Sequence, residues 1–205
     1  MNGTLKVLAL AAALAIMAAT VRASEYDLAF GQVQRLLAQA AKNDETGLNA
    51  ARQQLESLAK PARRNVKEAR ALNQQGLEAL KQNDYPAAAA AFQKAQEADP
   101  ADVEVAGNLG YANLKLDRLR RAEHQLVYAI SLAPGRSSSW FNLGQVYGAM
   151  NDVEKATGAF AAAYRFSQNP PKTVEFMRQA LTAPENNEAT RAALKRALEL
   201  FGLLP

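Results

Sequence analysis

The sequence predicts an all-α protein, a solenoid of stacked helix-turn-helix units, and three observations predict it. Pro100 and Pro134 stand 34 residues apart, and at that offset other residues fall into register without a gap. Gly76, Gly110 and Gly144 align, as do Ala88, Ala122 and Ala156, then Phe92, Leu126 and Phe160, then Ala95, Ala129 and Ala163. Between each glycine and its alanine stands a polar turn: Asn83-Asp84, Asp117-Arg118, Asn151-Asp152. On both sides of that turn apolar residues recur at three and four, the spacing of one helix face. Trp140, Leu143, Tyr147 and Met150 precede the turn of the last copy, and Val153, Ala156, Phe160 and Ala163 follow it. A unit this small buries its apolar face only by stacking on its neighbours, so a fixed period of this length denotes a repeat array.

The elements follow in chain order. Val7 to Ala19 is uncharged and apolar, preceded by Lys6 and followed by Val21-Arg22-Ala23. At about 13 residues it falls short of the roughly 20 that a helical membrane span needs. With a small residue at Ala23 it reads as a cleavable signal peptide over residues 1–23, cut after Ala23, which places the product in the periplasm or outside the cell. No cysteine is present to carry a lipid. Residues 24–68 form a helical hairpin. Tyr26, Phe30, Val33, Leu36, Leu37 and Ala40 make one stripe, Asn43-Asp44 a turn, and Leu48, Ala51, Leu55 and Leu58 a second stripe. The hairpin does not keep the repeat register. It is expected either to cap the first repeat or, because a seam alternating three and four also pairs coiled coils, to act as a docking or dimerisation arm.

Three repeats occupy 69–170, as 69–102, 103–136 and 137–170. A glycine within a helix costs about 1 kcal/mol relative to alanine, so glycine at one position of every copy implies that two helices approach closely there. Alanine at the matching place on the second helix is expected to complete the contact. Residues 171–205 are expected to form a degenerate fourth pair that caps the array. Lys172 to Leu181 carries Val174, Phe176, Met177 and Leu181. Thr182-Ala183-Pro184-Glu185 fits a capping box for a last helix with Leu194, Ala197, Leu198 and Phe201 on one face and Gly202 as its stop.

The repeat resembles the tetratricopeptide repeat, W-x2-L-G-x2-Y, then A-x3-F, then P. The third copy carries Trp140, Leu143, Gly144, Tyr147, Ala156 and Phe160; the first departs at Gln75 and Ala79, the second at Ala106 and Asn113. The resemblance covers residues 69–170 and implies a right-handed solenoid with a concave groove lined by the first helix of each pair, where peptides or partner helices bind. By repeat position the groove residues are Arg70, Asn73, Leu77 and Lys81, then Asn108, Tyr111 and Lys115, then Phe141, Asn142 and Gln145. Asn108 and Asn142 lead, because an amide both donates to and accepts from a peptide backbone. One subfamily clamps acidic chain ends with basic groove residues; here those positions hold Asn73, Ser138 and Asn142, which argues against such a clamp.

Composition narrows the function further. The chain has 205 residues, no cysteine and one histidine, His124. That excludes a disulfide framework, a thiol nucleophile and cysteine-built or multi-histidine metal sites. No phosphate-binding glycine loop, H-E-x-x-H or G-x-S-x-G sequence occurs. The formal charge of +4 loses Lys6 and Arg22 with the signal segment, and its densest basic cluster, Arg63, Arg64, Lys67 and Arg70, is interrupted by Glu68, too thin a footprint for nucleic acid. His124 falls where the repeat pattern leaves a residue solvated. These readings converge on a non-catalytic, cofactor-free exported adaptor that binds a protein or peptide in envelope or secretion-machinery assembly. The alternative is a structural protein that forms a homo-oligomer through its N-terminal hairpin. No membrane span is expected after cleavage.

Overall fold

The computed structural model describes residues 25–204; the export segment expected at 1–23 lies outside them. Every regular element among the described residues is a helix. A hairpin of α1 (residues 25–41) and α2 (Glu45–Ser57) comes first. The repeats follow as α3 (Val66–Lys81) with α4 (Tyr85–Ala98), α5 (Val103–Lys115) with α6 (Leu119–Leu132), and α7 (Ser137–Ala149) with α8 (Val153–Arg165). The chain closes with α9 (Pro170–Thr182) and α10 (Glu188–Leu200). Within each repeat the two helices are one another's main neighbours, and each second helix then packs on the first helix of the next copy.

The turn between paired helices is the same device in all three copies. Asn83, Asp117 and Asn151 adopt left-handed backbone with φ of 59°, 55° and 61°, a conformation Asn and Asp tolerate better than other side-chain-bearing residues. The next residue starts the second helix. Asp84 accepts from the Ala87 amide and Asp152 from the Lys155 amide, satisfying otherwise orphaned N–H groups; Arg118 makes no such cap. The hairpin repeats the device outside the register, with Asn43 at φ 56° and Asp44 accepting from the Gly47 amide.

The repeat glycines do permit close approach, but their partner is not the alanine expected. Gly76, Gly110 and Gly144 lie against the Phe92 ring, the Leu126 side chain and the Phe160 ring. An added methyl at Gly110 or Gly144 would fall 2.6 Å from Leu126 Cγ or Phe160 Cε1. The large residue four places after the alanine therefore fills the space that glycine leaves. Trp140 is fully buried and its indole N–H donates to the Pro134 carbonyl at 2.7 Å. Tyr128 donates likewise to Pro100 at 2.8 Å, so the two repeat prolines anchor side chains through their carbonyls.

Two flanking elements depart from expectation. The hairpin does not cap the first repeat. Its apolar residues Val33, Leu36, Leu37, Ala40, Leu48, Ala51 and Leu55 join the large core formed with α6, α7, α8 and α10, while the first repeat shares a separate small core around Phe92 with Leu109 and Ala112 of α5. From its turn beside Arg165, the chain runs back past Phe166 and Gly135, which meet Arg52. It then reaches Asp99 and Asp102, which bind Arg63 at 2.6 and 3.1 Å. The strap thus passes the ends of copies three, two and one before copy one begins. At the other end, Thr182 closes α9, its hydroxyl donating to the Gln179 carbonyl, and no capping box forms there. Asn187 is the cap instead, accepting from the Thr190 amide at 2.8 Å. It is α10 that packs on both α7 and α8, with Thr190 set against Gly148, whereas α9 lies on α10 and more lightly on α8. Ala193, Leu194, Ala197 and Leu198 of α10 are wholly buried, while Phe176 of α9, expected on its apolar face, is 50% exposed.

Candidate functional site

The first helices α3, α5 and α7 carry the residues singled out from the sequence, and the structure links part of that set. Asn108 Nδ2 donates to Asn73 Oδ1 at 3.1 Å, and Asn73 Nδ2 donates to Glu104 Oε1 at 3.4 Å. A bridge of amides and a carboxylate therefore joins copies one and two across the face. Sequence reasoning missed Glu104. Its signal was available, since Glu104 sits one repeat after Arg70 and one before Ser138 at the same place. Asn73 has its acceptor and one donor engaged by neighbours. Asn142, Gln145 and Tyr111 are half-buried, and Arg70 is exposed.

Other members of the set are engaged elsewhere. Phe141 is half-buried with its ring edge-on to Phe160, centroids 5.4 Å apart, and so belongs partly to the core of copy three. The Lys115 ammonium lies over the Tyr85 ring at 5.7 Å, on the second helix of copy one. The Lys81 ammonium pairs with Glu78 on its own helix.

The opposite, second-helix face is already covered. Tyr26 of α1 stacks on His124 of α6 at 4.1 Å between ring centroids. His124 is exposed, as expected, with one face of its ring under that aromatic side chain. Beside it Glu123 is buried and pairs with Arg120 at 3.1 Å. Gln34 Nε2 donates to the Tyr147 hydroxyl at 2.7 Å. Burial, then the Glu123 charge, pushes the Tyr26 phenol up to about 12 and raises Tyr147 as well; burial lowers His124 below its ordinary value. All three side chains are held neutral beneath or within α1, an arrangement suited to packing. The apolar stripes expected for self-association are likewise closed over within the chain.

Among the described residues no group of three or more His, Cys, Asp or Glu is placed to hold a metal ion, and no helix is long and apolar enough to cross a membrane. The amide bridge and its half-buried neighbours offer hydrogen bonds to an extended backbone, with no nucleophile and base in contact.

A family model described as "Tetratricopeptide repeat" matches residues 73–136 and 108–171. No curated protein matches the chain. Among solved structures, the first such domain of Spaghetti (RPAP3), bound to the HSP90 peptide SRMEEVD, is similar with a TM-score of 0.52 and 20% identity, over 69% of this chain and 99% of that one. The Sgt2 domain from Aspergillus fumigatus has a TM-score of 0.51 and 18% identity, over 72% of this chain and 84% of that one. The MamA protein has a TM-score of 0.52 and 20% identity, over 86% of this chain and 93% of that one. At these identities the likeness is one of fold.

Proposed function

We propose that this chain, whose residues 73–171 are tetratricopeptide repeats, is a non-catalytic adaptor that holds a peptide or partner segment along the face of its first helices. The observation that carries this reading is the contrast between the two faces. The hairpin lies chiefly on α6 and α8 and reaches α7 at the Tyr147 hydroxyl, whereas α5 and α7 keep Asn108, Asn142 and Gln145 within reach of a ligand. Amides at successive turns suit the alternating donors and acceptors of an extended backbone. Tyr111 supplies an apolar contact; Phe141, edge-on to Phe160, offers only its outer rim. The Spaghetti domain shows that a related fold holds a peptide, there an acidic one. Here Asn73, Ser138 and Asn142 replace basic side chains and Glu104 stands on the same face, so the ligand is a neutral or basic segment.

The place of action is the periplasm or the cell exterior, a reading that rests on Met1 to Ala23. Mass spectrometry of the mature chain, expected to begin at Ser24, checks it. The binding reading is tested by cross-linking and recovery from an envelope extract, comparing wild type with an Asn108→Ala, Asn142→Ala, Gln145→Ala variant whose circular dichroism and melting are unchanged. Loss of specific partners is expected from the variant. Equal recovery of the same partners by both proteins would overturn groove binding.

A further inference from the structure

The hairpin and its receiving surface are complementary but only thinly connected. Residue 158 occupies the position held by His124 one repeat earlier and Ala90 two repeats earlier. There, and in no other copy, it is glycine, and the backbone of Leu37 occupies the space a Cβ would need. Around that point Tyr26 covers His124, Gln34 bonds Tyr147, and Arg165 bonds Asn43 at 2.7 Å and reaches Glu45 at 3.6 Å. Copy three is shaped for a helix in a way copy one is not.

These contacts join residues 26–45 to 124–165, skipping the first repeat, whose small core is shared with α5 and not with the hairpin. The connection, residues 58–65, is non-helical and exposed over 59–65. It is anchored at Arg63, whose guanidinium and whose neighbour's amide bind Asp99. Residues 59–62, with Pro61, are therefore the exposed segment about which the hairpin would have to turn, Leu58 before it being packed on the core and Arg63 after it being anchored. The interface is partly polar: Glu123 is buried in it, and Gln32 Oε1, on α1, is buried without a partner. Water on the parted surfaces is tolerated better there than on an apolar core.

We propose that a second copy of this chain supplies the hairpin in a dimer, α1 and α2 of one protomer docking on the second-helix face of its partner. Every docking contact is preserved, since none depends on which chain provides the hairpin; only the hinge path and the effective concentration differ. Free pairing of exposed stripes, by contrast, would require surfaces the chain has already buried. The exchange leaves the first-helix face open, so it stands apart from groove binding.

The absence of cysteine makes the test direct. Full-length mature chains carrying Asn43→Cys or Arg165→Cys are incubated together at high concentration in mild denaturant, returned to buffer and treated with a short bismaleimide. A covalent 43–165 dimer is expected, together with a dimer mass by light scattering. Deleting residues 59–62 hinders folding back within one chain and should tighten the dimer at least roughly tenfold. Placing Gly158→Leu in the Arg165→Cys chain should abolish the cross-link; if that chain does not fold, Tyr26→Ser in the Asn43→Cys chain serves instead. Monomers throughout, including the deletion, overturn the proposal. So does a dimer whose cross-link is indifferent to Gly158 or Tyr26, which would show a different interface.

Discussion

The first and third repeats are built from one motif and sit in different surroundings. Both have the left-handed asparagine, the aspartate cap and a phenylalanine against a glycine. In the third, every residue from Ala156 to Ala163 of α8 is buried, enclosed by α7, α10 and the hairpin. In the first, α3 buries only Ala69 and Gly76 and packs chiefly on α4, with Asn73 bonded across to α5. The motif thus specifies the local pair, and the neighbours decide how stable that pair is, as expected of a one-dimensional array. Large residues follow the enclosure. Trp140 and Tyr147 of copy three correspond to Leu72 and Ala79 in copy one and to Ala106 and Asn113 in copy two.

The largest expected effect tests the enclosed end. Trp140→Ala removes a wholly buried indole and its bond to Pro134, and should cost about 3–5 kcal/mol in chemical denaturation. A loss well under 1 kcal/mol would mean that copy three is not the stable centre of the array. Next comes the covering hairpin. Gly158→Leu drives a side chain into the Leu37 backbone, and overpacking of this kind costs about 1–3 kcal/mol. Hydrogen exchange should locate the loss in α1 and α2 and leave α3 and α4 unchanged; equal loosening of the first repeat would contradict its separate core.

The repeat pairs, their turns and most buried positions were legible because each depends on residues close in sequence. Asn83, Asp117 and Asn151 announce the turn, and Trp140 announces the core, from identity and spacing alone. What was not legible is long-range. The apolar stripe of Val33, Leu36 and Leu37 revealed that α1 packs on something, but the place depends on Gly158, more than a hundred residues away. Thr182-Ala183-Pro184-Glu185 reads as a helix start, yet Asn187 won because α10 must enter beside Gly148. The groove set was legible only as positions. That Asn73 is tied to Asn108 and Glu104, and that Phe141 leans on Phe160, depends on side-chain directions that a repeat register does not specify.

A smaller effect compares the same cap in the two environments. Asp84→Ala and Asp152→Ala each remove one acceptor for a helix-starting amide, at about 0.5–2 kcal/mol. In the first repeat the loss should appear as local fraying, with faster exchange of α4 amides and little change in the global midpoint. In the third, where opening α8 disturbs its whole surround, the same substitution should move the global midpoint. Identical exchange patterns for the two variants would show that the array unfolds as a single unit.

The smallest effect is a pH dependence at the seam between hairpin and repeats. Burial holds the His124 pKa below its ordinary value of 6.5, and the nearby Glu123 carboxylate opposes the shift. A histidine depressed on folding binds its proton more readily in the unfolded chain. Its contribution is therefore complete above about pH 6.5 and is lost as the pH falls. Tyr26 stays neutral over this range, its phenol lying up at about 12, so the histidine is the titrating member of the stack. Wild type should lose more stability between pH 7.5 and 5.5 than His124→Gln, which cannot take up the proton. The difference should be seen in hydrogen exchange of α1 and be absent from α3, because the hairpin packs on the second and third repeats and skips the first. An equal acid sensitivity in both proteins would place the titration elsewhere and leave the Tyr26–His124 stack with a packing role alone.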